Sequence, residues 1–100
     1  MPSFNTEVPH QLGKDQARER LKGFLENVKR HYKDQVSEFT EEWSDDVLKF
    51  AMTTYGLKIE GVLTVTEESV LVDGSLPFVA MPYKGKIQQS ITDELKKALA

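Results

Sequence analysis

Two histidines and two pairs of adjacent carboxylates are the residues of this chain best suited to chemistry: His10, His31, Glu41-Glu42 and Asp45-Asp46. An imidazole can carry a proton near neutral pH or ligate a metal ion. A metal site needs several such groups at workable spacing. Beyond His31 and Asp34, three residues apart, neither histidine has a second ligand at such a spacing, and one pair is too few. Both histidines therefore read as surface or capping residues. Neighbouring residues of a strand point to opposite faces, so neither carboxylate pair converges on a shared proton. With no cysteine in the chain, there is no thiol nucleophile, thiolate zinc site or disulfide framework. No nucleophile elbow, Walker loop or dinucleotide fingerprint occurs. The expectation is a protein that is not an enzyme, with no catalytic, cofactor-binding or metal-binding residues.

Two other groups of residues are suited to binding. Leu76-Pro77-Phe78-Val79-Ala80-Met81-Pro82-Tyr83 is an apolar connector, followed directly by Lys84, Gly85 and Lys86. Regular structure is not expected in a stretch interrupted by two prolines. Phe78, Val79, Met81 and Tyr83 either close one end of the core or form an exposed contact for an apolar ligand, a polymer or a partner. The second group is Arg18, Lys22, Lys29 and Lys33, aligned along one flank of a predicted helix. Lys14–Lys33 holds seven basic and three acidic residues, whereas Asp34–Asp46 holds six acidic residues and no basic one. These blocks are either solvated faces that neutralise each other or a basic stripe that meets an anionic surface. Trp43 is open to both a core and a binding reading.

The elements that position these groups are legible from periodicity. Phe4–Val8 is a short strand candidate stopped by Pro9. Gly13 can cap a helix running from residue 14 to 32. Its apolar positions Ala17, Leu21, Phe24, Leu25, Val28 and Tyr32 fall within an arc of roughly 100°, and Gly23 reads as a tolerated surface glycine. Period-2 patterning predicts strands near 36–43, 47–55, 57–66 and 69–76. Ser44-Asp45-Asp46 is turn material, and Gly56 marks a tight hairpin or bulge. Asp73-Gly74 reads as a turn or bulge in the last strand. A second amphipathic helix covers 84–99 through Ile87, Ile91, Leu95, Ala98 and Leu99. Short connections make the sheet antiparallel, and the two helices are the only cover for its apolar face. The predicted class is α+β, in the order β-α-β-β-β-β-α with both helices on one face, as one domain over residues 1–100.

Length and charge narrow the function classes. One hundred residues suffice for one core. A net charge of −3 disfavours nucleic acid as the main partner. The segment Met1–Glu7 has neither the basic nor the apolar region of a signal peptide. No run approaches the ~18 apolar residues of a membrane span. The expected location is the cytoplasm.

One pattern runs through most of the chain: His10-x-Leu12-Gly13, Ala17-Arg18, Trp43, Leu48, Phe50, Gly56, Ile59, Gly61, Val65, Val70, Leu76-Pro77, Ile87, Ile91 and Leu95. It resembles the small bacterial polyhydroxyalkanoic acid system proteins, encoded beside genes of polyhydroxyalkanoate synthesis and granules. The resemblance spans about residues 4–99 and rests mostly on structural positions. It implies an accessory role in storage-polyester metabolism, by contact with a granule or a granule protein, and brings no catalytic residues. The element order is also similar to a reduced helix-grip ligand-binding fold, which implies as an alternative a small apolar ligand held between sheet and helices. Helix-grip folds have a longer sheet, and this chain is short for a roomy cavity.

Overall fold

Alternation of buried and exposed side chains, clearest along β3 and β4, builds the sheet. In the computed structural model, which describes residues 3–100, five strands are β1 (Ser3–Pro9), β2 (Val36–Ser44), β3 (Val47–Thr54), β4 (Leu57–Val65) and β5 (Ser69–Ser75). They form one antiparallel sheet in the order β1-β5-β4-β3-β2. Met1 and Pro2, part of the segment read for a signal sequence, lie outside the described residues. On the inner face Leu48 pairs with Leu63 and Leu63 with Val72, and all three are buried. The outer face carries Lys49, Glu60 and Asp73, all exposed. β1 is the fifth strand, paired with β5 from Ser3↔Ser75 to Pro9↔Ser69. Pro9 is tolerated because β1 is an edge strand.

Three α-helices lie over the inner face: α1 (Lys14–Leu21), α2 (Phe24–His31) and α3 (Lys84–Leu99). The helix expected over 14–32 is therefore two helices. Gly23 is the reason. It adopts a left-handed conformation, φ 81°, which side chains other than glycine's resist. It is the break between α1 and α2, and the reading as a tolerated surface glycine is corrected. Periodicity concealed this, because Ala17, Leu21, Phe24, Leu25 and Val28 on both sides of the break are all buried. α3 spans residues 84–99 as expected.

Three local readings are settled by geometry. Tyr55 and Gly56 both have positive φ, 52° and 76°, and form the two-residue β3–β4 hairpin. The strand bulge falls at Ser37, between the pairs Val36↔Thr54 and Glu38↔Thr53, not at Asp73-Gly74. There the ladder is regular, and Gly74 faces both Phe4 and Gly61. The connector after Leu76, expected to lack regular structure, forms a 3-10 helix over Phe78–Tyr83. The tight i→i+3 pitch suits so short a piece, and Pro77 precedes its first residue with an extended backbone.

Aromatic rings cover the two sheet glycines. A Cβ at Gly74 would stand 2.3 Å from the Phe4 ring, and one at Gly61 would stand 2.6 Å from Cζ of Phe50. These rings fill the space that side chains at 61 and 74 would take. Thr6 on β1 meets Thr92 on α3 through their hydroxyls at 2.8 Å, which fixes α3 against the first strand.

Candidate functional site

Where β3 and β4 meet the helices, the inner face opens into a cleft of about 350 Å³. Its depth is lined by buried apolar side chains: Met52 and Ile59 from the sheet, Val28 from α2, and Ile91 from α3. Nearer the surface are the half-buried Tyr32, Gln35, Ile87 and Ser90. Exposed Lys86, Tyr55 and Tyr83 complete the rim. The cleft exceeds what the length of the chain led us to expect. α3 leaves it open because its N-terminal residues Lys86 and Ile87 are not buried against the sheet, whereas Leu95 is fully buried farther along.

The rim continues into an exposed apolar patch. Tyr55 and Tyr83 stack with ring centroids 6.3 Å apart and planes at 25°. Tyr83 ends the 3-10 helix, whose earlier residues Phe78, Val79 and Met81 are 76%, 69% and 44% exposed. In the same segment Ala80 is fully buried, as is Leu76 just before it. The tight helix thus anchors itself through Ala80 and turns its larger side chains outward. The four connector residues singled out in the sequence stand together on the surface, and Tyr55, not anticipated there, joins them.

The four basic residues do not form one group. Arg18 donates to Asp46 at 2.9 Å and lies 3.5 Å from Asp15, and Lys22 pairs with Glu19 at 3.1 Å. The Lys29 ammonium lies 5.7 Å from the centroid of the Phe39 ring, within cation–π range. Lys33 falls beyond the end of α2. Because the helix is broken at Gly23, the four do not share one continuous helical flank. Asp46 precedes β3 whereas Tyr55 follows it, so Arg18 and the patch are roughly 30 Å apart along that strand.

Both histidines have structural partners. His10 Nε2 donates to the Thr66 carbonyl at 3.0 Å, and its Nδ1 accepts from the Leu12 N–H at 3.2 Å. These contacts select the Nε2-protonated tautomer. His31 Nδ1 donates to both carboxylate oxygens of Glu94 at 3.0 Å, and Lys97 lies 3.6 Å from the same carboxylate. Glu94 is buried, so this contact ties α2 to α3 beside the cleft. It spans 63 residues, and no local sequence signal announces it. Asp34, the only sequence companion of His31, is not its partner. Among the described residues there is no cluster of three metal-ligating side chains, and no helix is long and apolar enough to cross a membrane.

A five-stranded antiparallel sheet with its helices on one face, opening into a cleft at the end of the last helix, defines a small α+β helix-on-sheet protein. The chain belongs to the family described as "Putative polyhydroxyalkanoic acid system protein", whose profile matches residues 5–99. Among solved structures, TTHA0849 from Thermus thermophilus is similar over 98% of this chain and 94% of its own, with a TM-score of 0.61 and 16% identity. At that identity the likeness concerns the fold alone. Ara h 8.0201 matches over 98% of this chain and 97% of its own, at a TM-score of 0.45 and 9% identity. No curated protein matches the chain significantly.

Proposed function

We propose that this protein is a non-enzymatic accessory of polyhydroxyalkanoate metabolism that works in the cytoplasm by binding, and that the surface it binds is the hydrophobic polyester of the storage granule. The family links the chain to polyhydroxyalkanoate. The observation that carries the binding reading is the exposure of Phe78, Val79, Met81, Tyr83 and Tyr55 on one short segment and its neighbouring hairpin. Exposed apolar side chains grouped in this way mark a contact surface. Ester-linked aliphatic polymer offers apolar area with few hydrogen-bond donors, which suits a patch of rings and methyl groups.

The test is sedimentation with isolated granules. Wild-type protein should pellet with them, and the Phe78→Ser/Met81→Ser variant should stay in solution with its melting temperature nearly unchanged. A variant that pellets as well as wild type would remove the patch from the contact.

A second reading has its own support. The cleft of about 350 Å³ lies within the size range of small-molecule sites, and it favours an apolar ligand held between sheet and helices.

A further inference from the structure

The rim of the cleft carries polar chemistry that contact with a polymer does not use. Among the described residues, the Lys86 ammonium forms no ion pair, as is also true of Lys29, Lys33, Lys49, Lys84 and Lys96, but Lys86 is the lysine that lines the cleft. The side chains of Tyr32, Gln35 and Ser90 likewise make no hydrogen bond within the chain among the described residues. Polar groups at an otherwise apolar opening serve to orient a ligand. The depth below them is mainly apolar, lined by the fully buried Ile59 and by Met52 and Ile91, with the buried Thr54 beside them.

Resting on the second reading above, the geometry points to an aliphatic carboxylate of medium chain length as the ligand of this cleft. Its tail lies on Met52, Ile59 and Ile91. Its carboxylate faces Lys86, with the hydroxyls of Tyr32 and Ser90 as further donors. Size sets the length. At about 30 Å³ for each water-sized group, the cleft holds on the order of ten heavy atoms. That excludes a peptide helix and fits a chain of roughly eight to ten carbons. Charge sets the head group. A cationic head would face Lys86, and a neutral alcohol would leave it without a counter-ion, whereas a carboxylate supplies a charge-assisted hydrogen bond.

The test is titration of the whole protein with decanoate, 1-decanol and decyltrimethylammonium, each below its micelle-forming concentration, followed by calorimetry and by amide NMR shifts. Decanoate should saturate at one per chain and shift the amides of Val28, Ile59 and Ile91. Lys86→Gln should weaken decanoate about tenfold, the size of one charge-assisted hydrogen bond at an exposed site, and leave decanol unchanged. Lys86 is exposed, so this variant does not put folding at risk. Ser90→Trp, with its fold checked by melting, should block decanoate and decanol alike. Equal binding of all three amphiphiles, or no effect of Lys86→Gln, overturns the carboxylate and leaves an apolar-ligand site. Saturation by none of them overturns both. Phe78→Ser/Met81→Ser should keep decanoate binding intact, which separates the fate of the cleft from that of the polymer contact.

Discussion

The rings of Tyr55 and Tyr83 stack at 6.3 Å, joining the β3–β4 hairpin to the end of the 3-10 helix. This pair lies at the border between the cleft and the exposed patch and holds the two together. Tyr55 can occupy its place because the hairpin gives it a left-handed backbone, φ 52°. Both rings are about half exposed or more, at 61% and 49%. Their coupling should therefore fall at the low end of aromatic pairs, about 0.5–1 kcal/mol in a double-mutant cycle of Tyr55→Ala and Tyr83→Ala. Urea denaturation of the four proteins measures it, and a coupling near zero would mean that the stack does not persist in solution.

The covered glycines make a sharper stability test. Gly74→Ala would place a methyl group 2.3 Å from the Phe4 ring, and Gly61→Ala would place one 2.6 Å from Phe50 and 3.0 Å from the Asp73 carbonyl oxygen. Phe4 and Phe50 are both buried and have little room to retreat. Each substitution should cost about 1–3 kcal/mol, the range for overpacking a core. Denaturant midpoints equal to that of wild type would show that the rings do not lie over these positions.

His31→Ala removes the principal partner of a buried carboxylate. Glu94 would keep only the distant ammonium of Lys97, 3.6 Å away. Leaving a buried charged group short of a hydrogen bond costs on the order of 1–3 kcal/mol. His31→Ala together with Glu94→Leu should recover most of that loss, because it removes both halves of the pair. A single variant as stable as wild type would mean that α2 and α3 are not linked here.

Salt distinguishes the two groups of candidate binding residues. Between 0.1 M and 1 M salt the Debye length falls from ~10 Å to ~3 Å. Contact through Arg18, Lys22, Lys29 and Lys33 would weaken over that range, whereas contact through Phe78, Val79, Met81 and Tyr83 should hold or strengthen. Arg18 and Lys22 already have carboxylate partners, so we expect granule binding to be insensitive to salt. A steep loss would move the contact to the basic residues.

The strands and the outer ends of the helices were legible in the sequence because burial on one face imposes a period. Ile59 and Leu63 on β4, or Ile91 and Leu95 on α3, read inward and are buried. The break at Gly23 was not legible, since the apolar pattern continues through it and only the backbone angle reveals it. Asp73-Gly74 resembles a turn locally, and its extended form depends on Phe4, 70 residues earlier, lying over Gly74. The apolar connector stood out by composition, but its outward orientation comes from the 3-10 pitch that buries Ala80. The cleft draws Val28, Met52 and Ile91 from three elements, and no spacing in the chain foretells that convergence.

Bare polyhydroxybutyrate particles, free of granule proteins, give the most direct measurement of the central claim. The binding isotherm of wild-type protein on such particles should be saturable. That of the Phe78→Ser/Val79→Ser/Met81→Ser variant should be at least tenfold weaker, since each large apolar side chain removed from a contact forfeits about 1.5–3 kcal/mol when fully buried. The two proteins should melt within a few degrees of each other, because the substituted side chains are exposed in the free protein. Equal isotherms, or no binding by wild type, would contradict a polymer-binding role for this patch.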